Sequence, residues 1–255
     1  MTELIQLETH NQIATLTLNR PERHNSLVPE FCREMLNALE EASRQSELRA
    51  LVLQANGRSF STGGDVKAFY DNRDNIKPYA REIVGLLNQV IVAMVKLPVP
   101  IVAAVHSIVT GGSLGLVLAS DIVLVAPEAS FTPFYSVVGY SPDGGWTAML
   151  PSVIGRKRVS DILMLNQTIS AEQAVQWGMA NRIIAADRIR DEARIVAESI
   201  AQKKWGSIQR TKQLLWQNTN ALAESLEQER YLFCEQIVTA EALNGMEAFL
   251  SMRTK

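Results

Sequence analysis

Cysteine is almost missing from this chain. Cys32 and Cys234 are the only two among 255 residues. Two thiols so far apart build neither a disulfide framework nor a metal cluster, so no metal is expected and a reducing compartment fits. Histidine is nearly as scarce, with His10, His24 and His106 alone. Neither sign of charge dominates: 25 Lys and Arg against 27 Asp and Glu leave a net −2. Nucleic acid is therefore not an expected partner, because its recognition needs a basic excess or patch. No uninterrupted apolar run reaches the roughly 18 to 20 residues of a spanning helix, so no membrane partner is expected. The opening M-T-E-L-I-Q-L-E puts an acid where a secretory leader carries a basic and then an apolar run. The closing S-M-R-T-K differs from a peroxisomal S-K-L. A cytoplasmic location is the expectation. The phosphate loop G-x-x-x-x-G-K-[ST], the dinucleotide G-x-G-x-x-G and the zinc motif H-E-x-x-H are absent too. So are internal repeats and low-complexity segments.

What is present reads as an α/β protein. The 47% hydrophobic and 20% charged shares are those of a globular chain. The length suits one large domain, or one domain with a helical appendage. Apolar and polar residues alternate over 4–8 and 13–18, with His10-Asn11-Gln12 between, which predicts a hairpin. Residues 29–44 have helical periodicity behind Pro29, and 48–54 read as a strand. A glycine turn follows at 56–65. The charged stretch 71–77 is expected to be mobile, and 79–96 to be a long helix. Residues 98–118 then repeat the pattern: a Val/Ile/Ala strand, the turn Gly111-Gly112-Ser113 and an apolar helix. Residues 122–126 form another strand. Strand, glycine turn, helix, strand, twice over, predicts crossover units. The chain is helical from Gly144, with Ser170 and Gln173 spaced as a capping box opening a helix over 171–177. From Asp187 to the end it is charged amphipathic helix. Leu214, Leu215, Trp216, Leu226, Phe233, Phe249 and Leu250 must bury there, against the chain's own core or a second subunit.

The two glycine turns carry the chemistry. Each presents backbone N–H groups near a helix N-terminus, where partial positive charge collects. Two such donors aimed at one oxygen make an oxyanion hole, although two purely structural turns would look the same in sequence. Gly111-Gly112-Ser113-Leu114-Gly115 also matches the nucleophile elbow G-x-S-x-G. That fold takes its triad in the order Ser, acid, His, and no histidine follows Ser113, so Ser113 reads better as a small turn residue.

Several motifs in order carry a family resemblance. They are L-N-R-P-E-R-H-N-S-L at 18–27, S-F-S-T-G-G-D-V-K at 59–67, P-V-P-I-V-A-A-V-H at 98–106 and T-G-G-S-L-G-L-V-L-A-S-D at 110–121. P-D-G-G at 142–145 and I-S-A-E-Q-A-V-Q-W-G-M-A-N at 169–181 follow. With these the whole chain resembles the crotonase (enoyl-CoA hydratase/isomerase) superfamily. The resemblance implies a spiral of ββα repeats over 1–195, holding an acyl-CoA site, and a C-terminal helical trimerisation region over 196–255. It implies a homotrimer or a dimer of trimers, and no cofactor beyond the coenzyme A of the substrate thioester. It places the oxyanion donors on Gly64 and Gly112, and coenzyme A contacts near Arg23, His24 and Lys67. Those three also read as solvated loop charges.

Departures from the family pattern narrow the activity. Where the enoyl-CoA hydratases carry two glutamates, this chain has Gly115 and Tyr135. Hydration needs two acid/base groups, so ordinary hydratase activity is not expected. Asp143 matches the catalytic aspartate of isomerases resembling ring-1,2-epoxyphenylacetyl-CoA isomerase, and that of 4-chlorobenzoyl-CoA dehalogenase. A Pro-Asp-Gly turn or helix cap is its plain alternative. The dehalogenase pattern also calls for a Trp and a His, and Tyr135 and Asn88 stand there instead. One carboxylate suffices for double-bond migration, provided an apolar site raises its basicity. Phe134, Tyr135, Val138, Tyr140 and Trp146 are expected to line the acyl pocket, with a hydrogen bond from Tyr135 or Tyr140 as the alternative role for those two. Enoyl-CoA isomerisation through Asp143 is the leading expectation. Hydrolysis or dehalogenation through an Asp143 nucleophile, and acyl-CoA binding without catalysis, are the alternatives.

Overall fold

The structure, a computed structural model, describes residues 3–252. Its strands in chain order are β1 (Ile5–His10), β2 (Ile13–Leu18), β3 (Ala50–Ala55), β4 (Ile101–Val105), β5 (Ile108–Thr110), β6 (Ile122–Val125), β7 (Ser130–Thr132), β8 (Ile169–Ser170) and β9 (Arg182–Ile183). A six-stranded sheet has the order β1-β2-β3-β4-β6-β9, and a three-stranded sheet the order β5-β7-β8. The predicted hairpin is β1 and β2, antiparallel, with Ile5 opposite Leu18 and His10 opposite Ile13. Its turn is Asn11-Gln12 alone, and both residues have positive φ (47° and 68°), as a two-residue hairpin turn requires. All other neighbours in the large sheet are parallel.

A parallel strand covered on both faces can be apolar throughout, and β4 is buried at all five positions. Its side chains divide by parity. Val102 and Ala104 join Val52 and Leu124 beneath the helix Ile189–Ala201. Ile101, Ala103 and Val105 face the main core, shared with the helices Pro29–Arg44 and Ile76–Lys96. Each crossover repeats one plan. After a long strand in the large sheet comes a short pairing in the small one, then a helix. The pairing is a single bridge, Ser61 to Val109, after β3; it is β5 after β4 and β7 after β6. Every such helix therefore begins at the same edge, directly after a turn.

The stretch 71–77 is ordered helix where a mobile segment was expected. Helix Val66–Asp71, a 3-10 turn Arg73–Asn75 and helix Ile76–Lys96 follow one another, and Ile76 is buried. The charges sit on the outside while the apolar residue anchors the segment. The capping box forms as read: Gln173 N donates to Ser170 Oγ (3.2 Å) and Ser170 N to Gln173 Oε1 (3.0 Å).

The C-terminal region is four helices: Ile189–Ala201, Trp205–Leu215, Thr219–Gln236 and Ala240–Met252. The first spans residue 195, where the core was expected to give way to the appendage. Leu226 and Phe233 bury in the chain's own core, whereas Leu214 and Leu215 lie exposed. Lys212 ties the second helix to the sheet. Its Nζ donates to Asp121 Oδ2 (2.8 Å), Val99 O (2.9 Å) and Met94 O (3.3 Å). Asp121 also accepts from Ile101 N and Trp216 Nε1. Removing one partner of a buried pair strands the other charge. Lys212→Ala is expected to cost about 3 to 5 kcal/mol, read by urea unfolding.

Candidate functional site

The two glycine turns meet at the edge where the crossover helices begin. A methyl placed on Gly63, whose φ is 72°, would stand 2.6 Å from Thr110 O and 3.3 Å from Gly111 Cα, so the two backbones are in contact. Ser113 staples them. Its Oγ accepts from Gly63 N (2.9 Å) and bonds to Ser61 Oγ, which in turn donates to Asn25 O (2.6 Å). The hydroxyl is consumed by this framework and no histidine is among its partners, so its role is that of a turn residue. Trp146 Nε1 donates to Gly111 O from beneath (2.8 Å). In the first turn, Leu27 N donates to Gly63 O and Asp65 N to Leu27 O. Among the described residues these bonds leave the Gly64 N–H without an acceptor. Gly112 N–H lies in the first turn of a 3-10 helix, where no preceding carbonyl serves it.

Asp143 is buried directly against this pair of turns. A methyl on Gly112 would lie 3.0 Å from Asp143 Oδ2 and 3.2 Å from Oδ1. The next residue makes this contact possible. A methyl on Gly144, whose φ is 61°, would fall 2.4 Å from both the Cα and the O of Gly112. Asp143 caps no helix; its carboxylate accepts from Tyr135 Oη (2.6 Å to Oδ1). Its pKa is raised from 3.8 to about 7: burial is the main cause, the Tyr135 bond opposes it, and the charge of Glu229 adds to it. Burial, with the neighbouring Asp143 charge, also drives the Tyr135 phenol well above its ordinary value, so it remains a donor.

At Gly115 there is no space for a side chain. A Cβ there would sit 2.4 Å from Ile91 Cδ1 and 2.7 Å from Gly144 O. The volume that a glutamate would need is filled by the helix Ile76–Lys96 and by the turn carrying Asp143. A family model described as enoyl-CoA hydratase/isomerase matches residues 8–255. The chain belongs to the enoyl-CoA hydratase/isomerase (crotonase) family. It is 32% identical to a 1,2-epoxyphenylacetyl-CoA isomerase of Escherichia coli, over 100% of this chain and 98% of that protein. It is 29% identical to a trans-2-decenoyl-[acyl-carrier-protein] isomerase of Streptococcus mutans, over 83% and 81% respectively. An enoyl-CoA hydratase crystal structure from Bacillus halodurans shares the fold, with a TM-score of 0.90, 23% identity and coverage of 96% and 99%. The expected crotonase-type spiral and C-terminal helices are thus the observed fold.

Not every expected lining residue of this crotonase-family site faces open space. Trp146 is fully buried, its indole N–H spent on Gly111. Tyr135 is buried and directs its hydroxyl to Asp143 rather than only lining a pocket. Val138 is buried, its carbonyl against Gly245 of the last helix. Phe134 is partly exposed, stands at φ 62° and meets Phe249 edge-on. Tyr140 joins Phe69, whose ring lies against Gly64, and Phe233 in an aromatic cluster. Asn88 reaches away to Leu226 O and Glu227 Oε1.

The positions assigned to coenzyme A lie beside the Gly63-Gly64 turn. Arg23 Nη2 donates to Asp65 Oδ1 and Oδ2 (3.1 and 3.0 Å), and Arg20 Nη1 to Oδ2 (3.2 Å). Asp65 also caps helix Val66–Asp71 through Ala68 N. His24 Nδ1 lies 3.0 Å from Ser59 Oγ, and its Nε2 2.9 Å from Arg58 Nη2. Lys67 is exposed and paired with Asp71. Sequence reasoning missed Arg58 and Asp65, which only the folded turn brings beside Arg23 and His24. It also missed Glu229. The available signal was a charged residue in register with Leu226 and Phe233, three positions after the one and four before the other on one helical face.

Two outcomes follow from this packing. Gly115→Ala is expected to lose about 1 to 3 kcal/mol in urea unfolding through overpacking, and Gly115→Glu to gain no hydration activity. The raised Asp143 value means that the native state takes up a proton between pH 4 and 7, so the carboxyl's ionisation erodes stability as pH rises. Calorimetry should show the stability of Asp143→Asn relative to the parent increasing from pH 4 to 8, by up to roughly 4 kcal/mol at 1.36 kcal/mol per pKa unit.

Proposed function

We propose that this chain is an acyl-CoA enzyme that moves a carbon–carbon double bond, with Asp143 as the proton shuttle. The observation that carries the reading is the Asp143 carboxylate against Gly112, beside two glycine turns whose backbones are in contact. In this reading the thioester oxygen lies between the N–H groups of Gly64 and Gly112. Asp143 takes a proton from the carbon next to the thioester carbonyl. The electron pair delocalises onto the oxygen as an enolate, which the two amides stabilise. Asp143 then returns the proton to the far end of the allylic system, so the double bond shifts with no net gain or loss of atoms.

A carboxyl with a pKa near 7 suits both halves, since a catalyst is most effective when its pKa lies near the working pH. The Tyr135 hydroxyl fixes the orientation of the carboxylate and holds its second oxygen against Gly112. The filled space at Gly115 supports a one-carboxylate mechanism over hydration, and the similarity to two isomerases described above supports isomerisation. Arg23, His24, Arg58 and Lys67 are the groups proposed to meet the phosphates and adenine of coenzyme A. The exposed Leu214, Leu215, Met164 and Leu165 support the family's trimeric or hexameric assembly.

Asp143→Asn is expected to lower double-bond migration by at least about a hundredfold while leaving acyl-CoA binding within a fewfold of the parent. Stopped assays on enoyl-CoA esters and calorimetric titration read the two quantities. Unchanged turnover would sink the reading. Tight binding by a wild-type chain that turns over no enoyl-CoA would point to a binding protein instead.

A further inference from the structure

Glu229 lies on the C-terminal helix Thr219–Gln236, distant in sequence from every motif above, yet it is buried with only 4% of its surface exposed. Its carboxylate holds the loop that follows Asp143. Oε2 accepts from Gly145 N (2.8 Å). Oε1 accepts from Thr147 N (2.7 Å), Thr147 Oγ1 (2.6 Å) and Ala148 N (2.9 Å). All four partners act as donors, so the site is built for an acceptor-only carboxylate. Trp146 Nε1 on Gly111 O and Tyr135 Oη on Asp143 O hold the same loop from its other side, but only Glu229 takes up its amides at 145, 147 and 148. Gly144 and Gly145 have φ of 61° and 88°, a region open mainly to glycine, and Gly144 is pressed on Gly112.

We infer that Glu229 is a positioning residue for Asp143, its carboxylate clamping residues 145–148 so that the Asp143 carboxyl stays against Gly112. This inference rests on the proposed role of Asp143. Burial pushes the Glu229 carboxyl above the ordinary glutamate range, and its bonds to Thr147, Gly145 and Ala148 pull it back. The groups that act on Asp143 come from each element packed round it. Tyr135 donates to it from helix Tyr135–Val138, and Glu229 faces it from helix Thr219–Gln236. Cys32 on helix Pro29–Arg44 and Tyr140 in the following turn feel its charge, and both stay neutral at working pH because burial raises them. Glu229 is thus the one anion in this set, and the set contains no cation. The clamp also gives the C-terminal helix a part in the chemistry, one residue at a time, through backbone amides.

The test uses the full-length enzyme labelled with carboxyl-13C aspartate. One aspartate signal should titrate near neutral pH and vanish in Asp143→Asn. In Glu229→Gln its midpoint is expected to move to lower pH, because the neighbouring anion is gone. The acid limb of kcat/KM should move with it. kcat should fall roughly tenfold with KM within about twofold, the mark of an interaction used in the transition state. Glu229→Asp, which sets the charge one methylene back, should show a smaller displacement in the same direction, and it carries the comparison if the Gln variant does not fold. A folded variant with an unmoved midpoint and unmoved acid limb overturns the inference and makes Glu229 a structural strut. A wild-type enzyme without isomerase activity, whose Asp143 midpoint still moves in Glu229→Gln, would sink the isomerase reading alone.

Discussion

The contact between Gly112 and Gly144 organises this molecule. Two backbones approach so closely that a single methyl on Gly144 would overlap the Cα and carbonyl oxygen of Gly112. Close packing of this kind is possible only where neither chain carries a Cβ into the gap. It brings the Asp143 carboxyl against the Gly112 turn, and it occupies part of the space beside Gly115 from which a glutamate would otherwise act. The exclusion of a side chain at position 115 and the placement of the Asp143 carboxyl are one packing event. Gly63 against Thr110 and Gly111 does the same for the second turn, with Ser113 as the hydroxyl that joins them.

Around this contact the protein holds an acid in an unfavourable place. Burial disfavours the Asp143 carboxylate, and a second buried carboxylate, Glu229, disfavours it further; the Tyr135 hydroxyl is the largest offset. Such a group is costly to stability and useful to chemistry, because its two protonation states are nearly balanced at neutral pH. The cost is tolerated because the rest of the fold is well satisfied. The parallel sheet is covered on both faces, and the buried Lys212–Asp121 pair has its hydrogen bonds filled. The strained Phe134, which precedes Tyr135 and accepts φ 62°, belongs to the same economy: its N–H is held by Asn166 Oδ1.

Much of the fold was legible along the chain. The hairpin, the helix 29–44, the two glycine turns and the capping box at Ser170 each rest on local rules: period, turn chemistry and capping. Asp143 and the two glycines expected to donate to an oxyanion came from the family resemblance, and the folded chain brings Asp143 and Gly112 together. The stretch 71–77 was read as mobile because its charges are conspicuous, but one buried residue, Ile76, fixes it. Tyr135 was read as pocket lining ahead of hydrogen-bond donor, and Trp146 as lining. Their polar atoms are committed to Asp143 and Gly111, and no local pattern shows where a hydroxyl or indole N–H will point.

The sequence by itself determined the element order, the crossover plan and the absence of glutamate at positions 115 and 135, since these depend on residue type and near-neighbour spacing. Only the tertiary structure decided that Gly115 is filled rather than vacant, that Tyr135 holds Asp143, and that a glutamate 86 positions later clamps its loop. Those facts depend on which backbones can touch and which buried donors need an acceptor. Both are settled by the packing of segments far apart in the chain.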